Sequence, residues 1–370
     1  MQQQVKAPTG PAFASRVIEW QRSHGRHALP WQGTRDPYRV WLSEVMLQQT
    51  QVATVLGYYA RFLERFPDVA TLAAASLDDV FALWSGLGYY SRARNLHRCA
   101  QTVVAEHGGQ FPRTSTALAT LPGIGRSTAA AIAAFCFGER VAILDGNVKR
   151  VLARVVGFGG DLADAGPQRE LWDIATGLLP AERGEHASHP HGADIAAYTQ
   201  GLMDLGATVC LQRAPLCASC PVAGLCVAAA TDTVLHYPVK RRRVERGRRE
   251  HLWLWLRRGS SIWLERRPVR GVWAGLWSLP EFESETAFVE ASCVWPGRLE
   301  TLPTFTHVLT HLDWTLHPRR WTLPERTSRD HLDAVVRRWP SGHWFELDEA
   351  LGLGLPAPLR RLLTDPAVGA

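Results

Sequence analysis

The apolar residues of this chain change their spacing once, near residue 250, and that change limits the folds it can adopt. Before it, apolar side chains recur every three or four residues, as in amphipathic helices. After it, the segment 251–268 alternates apolar and polar residues around Gly259 and Ser260, which is typical of a β-hairpin. The 370 residues are enough for two ordinary domains. The sequence therefore predicts an all-α domain over 13–230 and an α+β domain over 251–365.

In three segments the apolar residues show no regular spacing. Residues 1–12 are predicted to be a flexible N-terminus. Residues 231–250 are predicted to be a basic linker that also contacts phosphate, because their second half, KRRRVERGRRE, holds seven basic and two acidic side chains. Residues 182–193 interrupt the helical pattern with three histidines, and a surface loop is favoured there over a metal site.

Composition limits the classes of function. Hydrophobic residues make up 46% of the chain and charged residues 21%, which excludes wholesale disorder. No run approaches the roughly 18 apolar residues of a membrane span, and the N-terminus lacks a signal-peptide pattern, so we predict a cytoplasmic protein. The net charge of +6 favours a polyanionic partner.

Four cysteines, Cys210, Cys217, Cys220 and Cys226, follow the spacing C-x6-C-x2-C-x5-C. Clustered thiols in a chain without a secretion signal indicate a metal site rather than disulfides. Four thiolates suit either tetrahedral zinc or a [4Fe–4S] cluster, and a single C-x2-C pair with unequal flanks favours the cluster. The three isolated cysteines, at positions 99, 136 and 293, are predicted to be core residues.

The segment LPGIGRST (121–128) lies between two helical patterns and is predicted to be a phosphate-binding hairpin. Gly123 and Gly125 would let backbone N–H groups approach an anion without a Cβ in the way, with Arg126 and Ser127 beside them. Such contacts bind phosphate and do not depend on the base sequence. The alternative is an ordinary corner between two helices.

Two carboxylates are candidates for acid–base chemistry. Glu44 sits among apolar neighbours on a predicted helix, and apolar surroundings let a carboxyl group keep its proton near neutral pH. Asp145 ends the apolar run VAILD, where an aspartate also commonly caps the following helix and stays ionised. One protonated acid and one fixed carboxylate is the pair that glycosidic bond cleavage requires. The alternative readings are an exposed helix glutamate and a plain helix cap.

The hairpin 121–128, Asp145 and the four cysteines together resemble the signature of the endonuclease III-like DNA glycosylase superfamily. Within it, the chain is similar to the MutY-type adenine DNA glycosylases in SEVMLQQTQV (43–52), WSGLGYYSRARNL (84–96), GRSTA (125–129) and ILDGNVKRVLAR (143–154). The resemblance implies a helix-hairpin-helix glycosylase domain, with the hairpin over 118–137 and an iron–sulfur cluster loop over 210–226. It also implies removal of adenine opposite 8-oxoguanine, and opposite guanine more weakly, from double-stranded DNA.

The resemblance assigns catalytic roles. Glu44 matches the acid that protonates adenine N7 and then assists water, Asp145 matches the carboxylate that stabilises the sugar cation, and Asn147 matches a residue that supports the site. The four cysteines match the ligands of a [4Fe–4S] cluster.

The resemblance also assigns residues that read DNA. Gln49 and Tyr89 match side chains wedged into the duplex, while Thr50 and Leu87 match backbone contacts to the oxidised base. Two residues of the motif A-L-P-W match the wall of the adenine pocket, namely Leu29 and Trp31. Lys149 matches a lysine that forms an adventitious Schiff base with the product. Extruding a base in this way is base flipping.

Residues 251–365 resemble the Nudix-like C-terminal domain of the same family. The R-E-x-x-E-E core of catalytic Nudix hydrolases is absent from the sequence, so we expect this domain to read 8-oxoguanine rather than hydrolyse nucleotides. Its Phe-Ser-His loop corresponds here to Leu309-Thr310-His311. Thr310 keeps the hydroxyl group, whereas Leu309 lacks the aromatic ring. We therefore expect a weaker preference for 8-oxoguanine over guanine.

Three alternatives remain open. A bifunctional pyrimidine glycosylase and lyase shares this fold but uses an amine nucleophile, typically a lysine, where Ser127 stands. A nucleotide pyrophosphatase needs the missing Nudix glutamates, and a catalytically silent DNA-binding protein does not need both Glu44 and Asp145. A monomer bound to DNA, and so associated with a bacterial nucleoid, is the default expectation for the assembly.

Overall fold

The structure is a computed structural model, and it describes residues 10–181, 193–239 and 246–366. Most of the predicted flexible N-terminus, the three predicted loop histidines and residues 240–245 of the predicted linker lie outside these ranges. None of the described helices is both long and apolar enough to cross a membrane.

Before residue 231 the described elements are helices, as the apolar spacing predicts. They are α1 (Gly10–His24), α2 (Pro37–Leu47), α3 (Val52–Arg65), α4 (Val69–Ala74), α5 (Leu77–Trp84), α6 (Tyr90–His107), α7 (Ser115–Leu118), α8 (Arg126–Ile132), α9 (Gly146–Val156), α10 (Ala165–Gly177), α11 (Ala193–Thr208) and α12 (Val227–Ala230).

Several of these helices begin where the sequence places a capping side chain. Asp36 accepts a hydrogen bond from the backbone N–H of Tyr38 (2.9 Å), with Pro37 at the first helical position of α2. Ser76 and Asp79 form a reciprocal capping box at α5. Within the predicted helix-hairpin-helix span 118–137, the second helix is α-helical only to Ile132 and then widens into a π-helical turn over Ala133–Phe137.

After residue 246 strands and helices mix. The strands are β1 (Gly247–Arg258), β2 (Ser261–Arg266), β3 (Trp277–Ser278), β4 (Glu281–Phe282), β5 (Arg298–Thr301), β6 (Phe305–Val308), β7 (Leu312–Thr322) and β8 (Gly342–Glu346). The helices are α13 (Glu285–Ser292), α14 (Arg329–Val336), α15 (Leu347–Leu351) and α16 (Ala357–Thr364).

These strands form one mixed sheet in the order β3-β2-β1-β7-β5, with β4 also paired to β1, β6 to β7 and β8 to β2. The predicted hairpin joins β1 to β2, and β1 runs parallel to β7. The run 252–256 is buried at every residue, so both faces of β1 are covered. Its leucines pack with Phe282 and Phe288 in one core cluster. Both predicted fold classes, all-α and α+β, are confirmed.

Contacts divide the chain into two compact units. The first unit comprises the described residues of 1–59, 68–70 and 98–243. The second unit comprises those of 60–67, 71–97 and 244–370, so a stretch of the helical part groups with the sheet. The helical segment 71–97 brings Leu87 and Tyr89 into the second unit, whereas the two candidate carboxylates belong to the first.

Candidate active site and cysteine cavity

A cavity of about 1500 Å³ opens in the first unit, and we call it the Glu44 cavity. Residues of the loop 25–36 and of α2, α8, α9 and α11 line it. Eight of the residues singled out from the sequence share this lining: Leu29, Trp31, Glu44, Gln49, Thr50, Ser127, Asp145 and Asn147. The fold therefore brings together side chains from four separate motifs.

Glu44 lies on α2, whose neighbouring residues Val45 and Met46 are buried in the core. Protein atoms surround its carboxyl group, although the cavity leaves part of the side chain exposed. Burial, with a smaller contribution from the charge of Asp145, raises the pKa of Glu44 to about 8. Most Glu44 side chains therefore carry a proton at pH 7, as a general acid must.

Asp145 caps the N-terminus of α9, where its Oδ1 accepts a hydrogen bond from the backbone N–H of Val148 (2.7 Å). Burial raises the pKa of Asp145, while hydrogen bonds from the backbone of Val148 and Asn147 and the charges of Arg150 and Lys149 lower it. Glu44 has no such stabilisation of its anion. Within the pair, several interactions therefore oppose the rise in the pKa of Asp145, whereas burial and the charge of Asp145 both raise the pKa of Glu44.

Arg150 connects Asn147 to Cys210, the first of the four clustered cysteines. Arg150 donates from Nη2 to Asn147 Oδ1 (2.9 Å) and to the carbonyl oxygen of Gly206 (2.6 Å), and from Nε to the carbonyl oxygen of Cys210 (2.8 Å). A Cβ on Gly206 would lie 2.6 Å from Asn147 Cβ, so α9 and α11 approach this closely only because residue 206 is glycine.

A partly buried ion pair stabilises the wall of the Glu44 cavity. Arg26 donates from its backbone N–H (2.9 Å) and from Nε (2.7 Å) to Asp204, which is fully buried on α11. This pair fixes the start of the loop that carries Leu29 and Trp31. The Trp31 ring also packs edge-on against Tyr59, with ring centres 5.3 Å apart.

The two predicted wedge residues share an unusual backbone conformation. Gln49 has φ +56° in the first unit and Tyr89 has φ +45° in the second, and both are exposed. Left-handed backbone is rare for residues other than glycine and persists only where the surroundings enforce it. Such strain is concentrated at functional positions, which fits the role that the sequence predicts for both residues.

Within the second unit, Tyr89 lies beside the predicted recognition loop. Its hydroxyl group is 3.0 Å from Thr310 Oγ1, and both side chains are exposed. Leu87 is buried and its carbonyl oxygen accepts a hydrogen bond from Arg92 (3.2 Å). The backbone carbonyl of His311 accepts a hydrogen bond from Gly247 (3.0 Å) at the start of β1.

The predicted hairpin is a tight turn in the first unit. Leu121 and Ile124 are buried and joined by a backbone hydrogen bond (3.1 Å), while Gly123 has φ +76°, a conformation that favours glycine. Gly125 precedes α8, and Arg126 stacks on a tryptophan ring.

Lys149 is not part of the Glu44 cavity lining; its amine donates to Gln168 Oε1 (3.2 Å).

The four clustered cysteines are free thiols that line a second, smaller cavity, here called the cysteine cavity. Burial raises the pKa of Cys220 to about 11. Arg154 is buried below the loop and donates to Cys210 Sγ (3.3 Å) and to the carbonyl oxygen of Leu211 (2.6 Å). Among the described residues, no three His, Cys, Asp or Glu side chains converge closely enough to hold a single metal ion.

Of the isolated cysteines, Cys99 is buried, as predicted. The prediction is wrong for Cys293, which is exposed at the end of α13, and Cys136 is only partly buried in the π-helical turn. An apolar sequence context does not reveal which face of a helix end the solvent reaches.

Sequence reasoning missed the supporting residues Arg26, Arg150, Asp204 and Gly206. One signal was available, because Asp204 interrupts the apolar run of α11 and a charge in such a place needs a partner. The partner, Arg26, is 178 residues away in sequence, so only the fold identifies it.

Comparison with protein families matches two parts of the chain. Residues 42–174 match a family described as HhH-GPD superfamily base excision DNA repair protein. Residues 252–365 match the NUDIX domain family.

Whole proteins are also similar. The chain is 31% identical over 358 residues to an adenine DNA glycosylase of Buchnera aphidicola, covering 95% of this chain and 96% of that protein. It is 44% identical over 227 residues to an adenine DNA glycosylase of Homo sapiens, covering 59% of this chain and 39% of that one. A solved thermostable thymine-DNA glycosylase matches 60% of this chain and 96% of its own, with a TM-score of 0.51 and 27% identity.

Proposed function

Because the chain belongs to the adenine DNA glycosylase family, we propose that it hydrolyses the N-glycosidic bond of adenine mispaired with 8-oxoguanine, or with guanine, in double-stranded DNA. The observation that carries this proposal is that Glu44 and Asp145 line one cavity in different environments: burial raises the pKa of Glu44 to about 8, whereas backbone hydrogen bonds and two cationic side chains oppose the rise in the pKa of Asp145. The two carboxyl groups differ in environment as an acid and an electrostatic stabiliser must.

The extruded adenine would enter the Glu44 cavity between Leu29 and Trp31. Glu44 then gives its proton to adenine N7, the bond between C1′ and N9 breaks with its electron pair leaving on the base, and a cationic sugar remains. Asp145 stabilises that cation, either as an ion pair or by bonding to C1′. The Glu44 carboxylate next takes a proton from water, whose oxygen adds to C1′; where Asp145 is bonded to C1′, that bond breaks and its electron pair returns to the Asp145 carboxylate, and an abasic site remains.

Recognition of the mispair is assigned to both units. Gln49 and Tyr89 enter the duplex beside the oxidised base, Thr50 and Leu87 contact that base through their backbones, and Thr310 with His311 reads its edge. The hairpin around Gly123, Gly125, Arg126 and Ser127 binds the phosphate backbone. The support for these roles is the strained backbone at both wedge residues and the hydrogen bond between the hydroxyl groups of Tyr89 and Thr310.

We assign the cysteine cavity to a [4Fe–4S] cluster held by Cys210, Cys217, Cys220 and Cys226. The donor set fits, because four free thiols line one cavity and a buried arginine donates to one of the sulfur atoms, as an anionic sulfur requires. When bound, the cluster crosslinks the loop through iron–sulfur bonds. A broad absorbance band near about 400 nm in the purified protein would support this assignment, whereas a colourless protein with stoichiometric zinc would exclude it.

We further propose that the protein acts as a monomer and without cutting the strand. Ser127 borders the Glu44 cavity where a strand-cutting enzyme needs an amine. The amine of Lys149 is bonded to Gln168. Any Schiff base that this lysine forms with the product should therefore be slow, and efficient strand cleavage is not expected.

The test uses three duplexes containing adenine opposite 8-oxoguanine, adenine opposite guanine, or thymine glycol opposite adenine. Each is incubated with the protein and analysed with and without hot alkali. We expect breaks at adenine that appear only after alkali. Breaks at thymine glycol without alkali would instead identify a bifunctional pyrimidine glycosylase.

A further inference from the structure

We propose that Trp172 is a positioning residue that holds the Arg126 guanidinium ready to bind a DNA phosphate. The guanidinium carbon of Arg126 lies 4.0 Å from the centre of the Trp172 ring, within the first unit. The proposal rests on the DNA binding in the proposed function, and adds to it one defined contact and the residue that orients it.

The ring is a fixed platform. Trp172 lies on α10 and is only 9% exposed, as part of the core cluster that also holds its neighbour Leu171. Arg126 is the first residue of α8 and is exposed at the surface of the hairpin. A side chain that is otherwise free to rotate in solvent is therefore held against one rigid face, which reduces the entropy that binding must remove.

Stacking leaves the hydrogen-bonding edge of the guanidinium available. A guanidinium that packs by its face keeps its N–H donors in the plane, in the fork that matches phosphate oxygens. Among the described residues, Arg126 has this ring contact and neither a hydrogen bond from its guanidinium nor an ion pair. Its positive charge is therefore not neutralised by a protein carboxylate.

The competing interpretation is structural: Arg126 only covers the ring and stabilises the contact between α8 and α10. An exposed cation–π contact of that kind affects folding but makes no phosphate contact. The two interpretations differ in the salt dependence of DNA binding, because each phosphate contact releases counterions and contributes about 0.9 to the slope of log affinity against log salt.

The experiment measures the affinity of the whole protein for an undamaged, fluorescein-labelled duplex by anisotropy, between about 50 and 200 mM salt. Arg126→Gln should reduce the slope by about 0.9, so that its affinity falls about 3.5-fold less than that of the wild type across this range. Trp172→Leu should also reduce the slope. Trp172→Phe keeps a ring face and should have the slope of the wild type.

Leu171→Ala is the matched control, because it weakens the packing of the same helix without touching the ring. It should lower the melting temperature and leave the slope unchanged. An unchanged slope for Arg126→Gln means that there is no phosphate contact. An unchanged slope for Trp172→Leu, or an equal change for Leu171→Ala, means that the ring does not position the arginine.

Failure of this proposal is distinguishable from failure of the proposed function. Adenine excision from the mispaired duplex is measured separately for the wild type. A protein that excises no adenine but shows the expected slopes would disprove the substrate and leave the Arg126 contact standing.

Discussion

Glu44 and Asp145 lie within a cavity of the first unit, whereas Tyr89 and Thr310 lie exposed on the second unit. The first pair is desolvated and its proton affinities are set by burial, charge and backbone hydrogen bonds. The second pair is joined by one hydrogen bond in solvent. This contrast suggests that changes in the cavity alter the rate of bond cleavage, while changes at the exposed pair alter the choice of base opposite adenine.

The prediction with the largest expected effect concerns the Glu44 cavity. Glu44→Gln removes the acidic proton but keeps the shape of the side chain, so excision of adenine opposite 8-oxoguanine should slow by about 10²–10⁴-fold. Duplex affinity should change little, because binding does not depend on this proton. Single-turnover kinetics and anisotropy measure the two quantities. Glu19→Gln, at an exposed position of α1, is the control, and retained excision in Glu44→Gln would mean that another group supplies the proton.

The same substitution should stabilise the fold. The folded-state pKa of Glu44 is about 8, above the value of 4.5 for a free glutamate, so its favourable contribution to stability is complete below pH 4.5 and is lost as the pH rises to about 8. At neutral pH the free energy of unfolding of Glu44→Gln should therefore exceed that of the wild type by about 3 kcal/mol. Thermal melts should show a higher Tm for the variant at pH 7 and no gain near pH 4.5. A gain independent of pH would contradict this cause.

A smaller effect tests the support of Asn147. Gly206→Ala places a methyl group 2.6 Å from Asn147 Cβ, so α9 must shift, at a cost of about 1–3 kcal/mol of unfolding free energy. Excision should also slow, because Asp145 caps the same helix. Gly57→Ala, within α3 and with nothing within 4 Å of the new Cβ, should instead stabilise by about 0.5–1 kcal/mol. Similar effects of the two substitutions on stability and on excision would refute the close approach.

The smallest effect tests the exposed pair. Tyr89→Phe keeps the ring and removes the hydrogen bond to Thr310, which should lower the preference for 8-oxoguanine over guanine by about two- to tenfold. The ratio of kcat/KM on the two duplexes measures this preference. Thr310→Val should give a similar loss, and the double variant should add little to it. Thr306→Val, at an exposed threonine of β6, is the control. Additive losses would mean that the two hydroxyl groups act separately.

Much of the architecture was predictable because its determinants are local. Asp36, Ser76 and Asp145 cap helices through bonds to residues two or three positions away, and the alternation in 251–268 predicts its hairpin. The π-helical turn after Ile132 was not predictable, because nothing in an alanine-rich run distinguishes it from a continued α-helix.

For the candidate site, the residue types were predictable but their surroundings were not. The sequence placed Glu44 among apolar neighbours, which did not exclude an exposed glutamate. The raised pKa depends on burial by distant segments and on the charge of Asp145, about a hundred positions away. The pair of Arg26 and Asp204 likewise joins residues 178 positions apart.

The sequence by itself determined the two fold classes, the helix caps, the cysteine spacing and the family, because propensity, periodicity and motif act over short stretches of chain. The tertiary structure decided which segments line the Glu44 cavity, how far burial raises the pKa of Glu44, and that Tyr89 groups with Thr310 in one unit. Desolvation and electrostatic coupling depend on distances in space, and only the folded chain sets those distances.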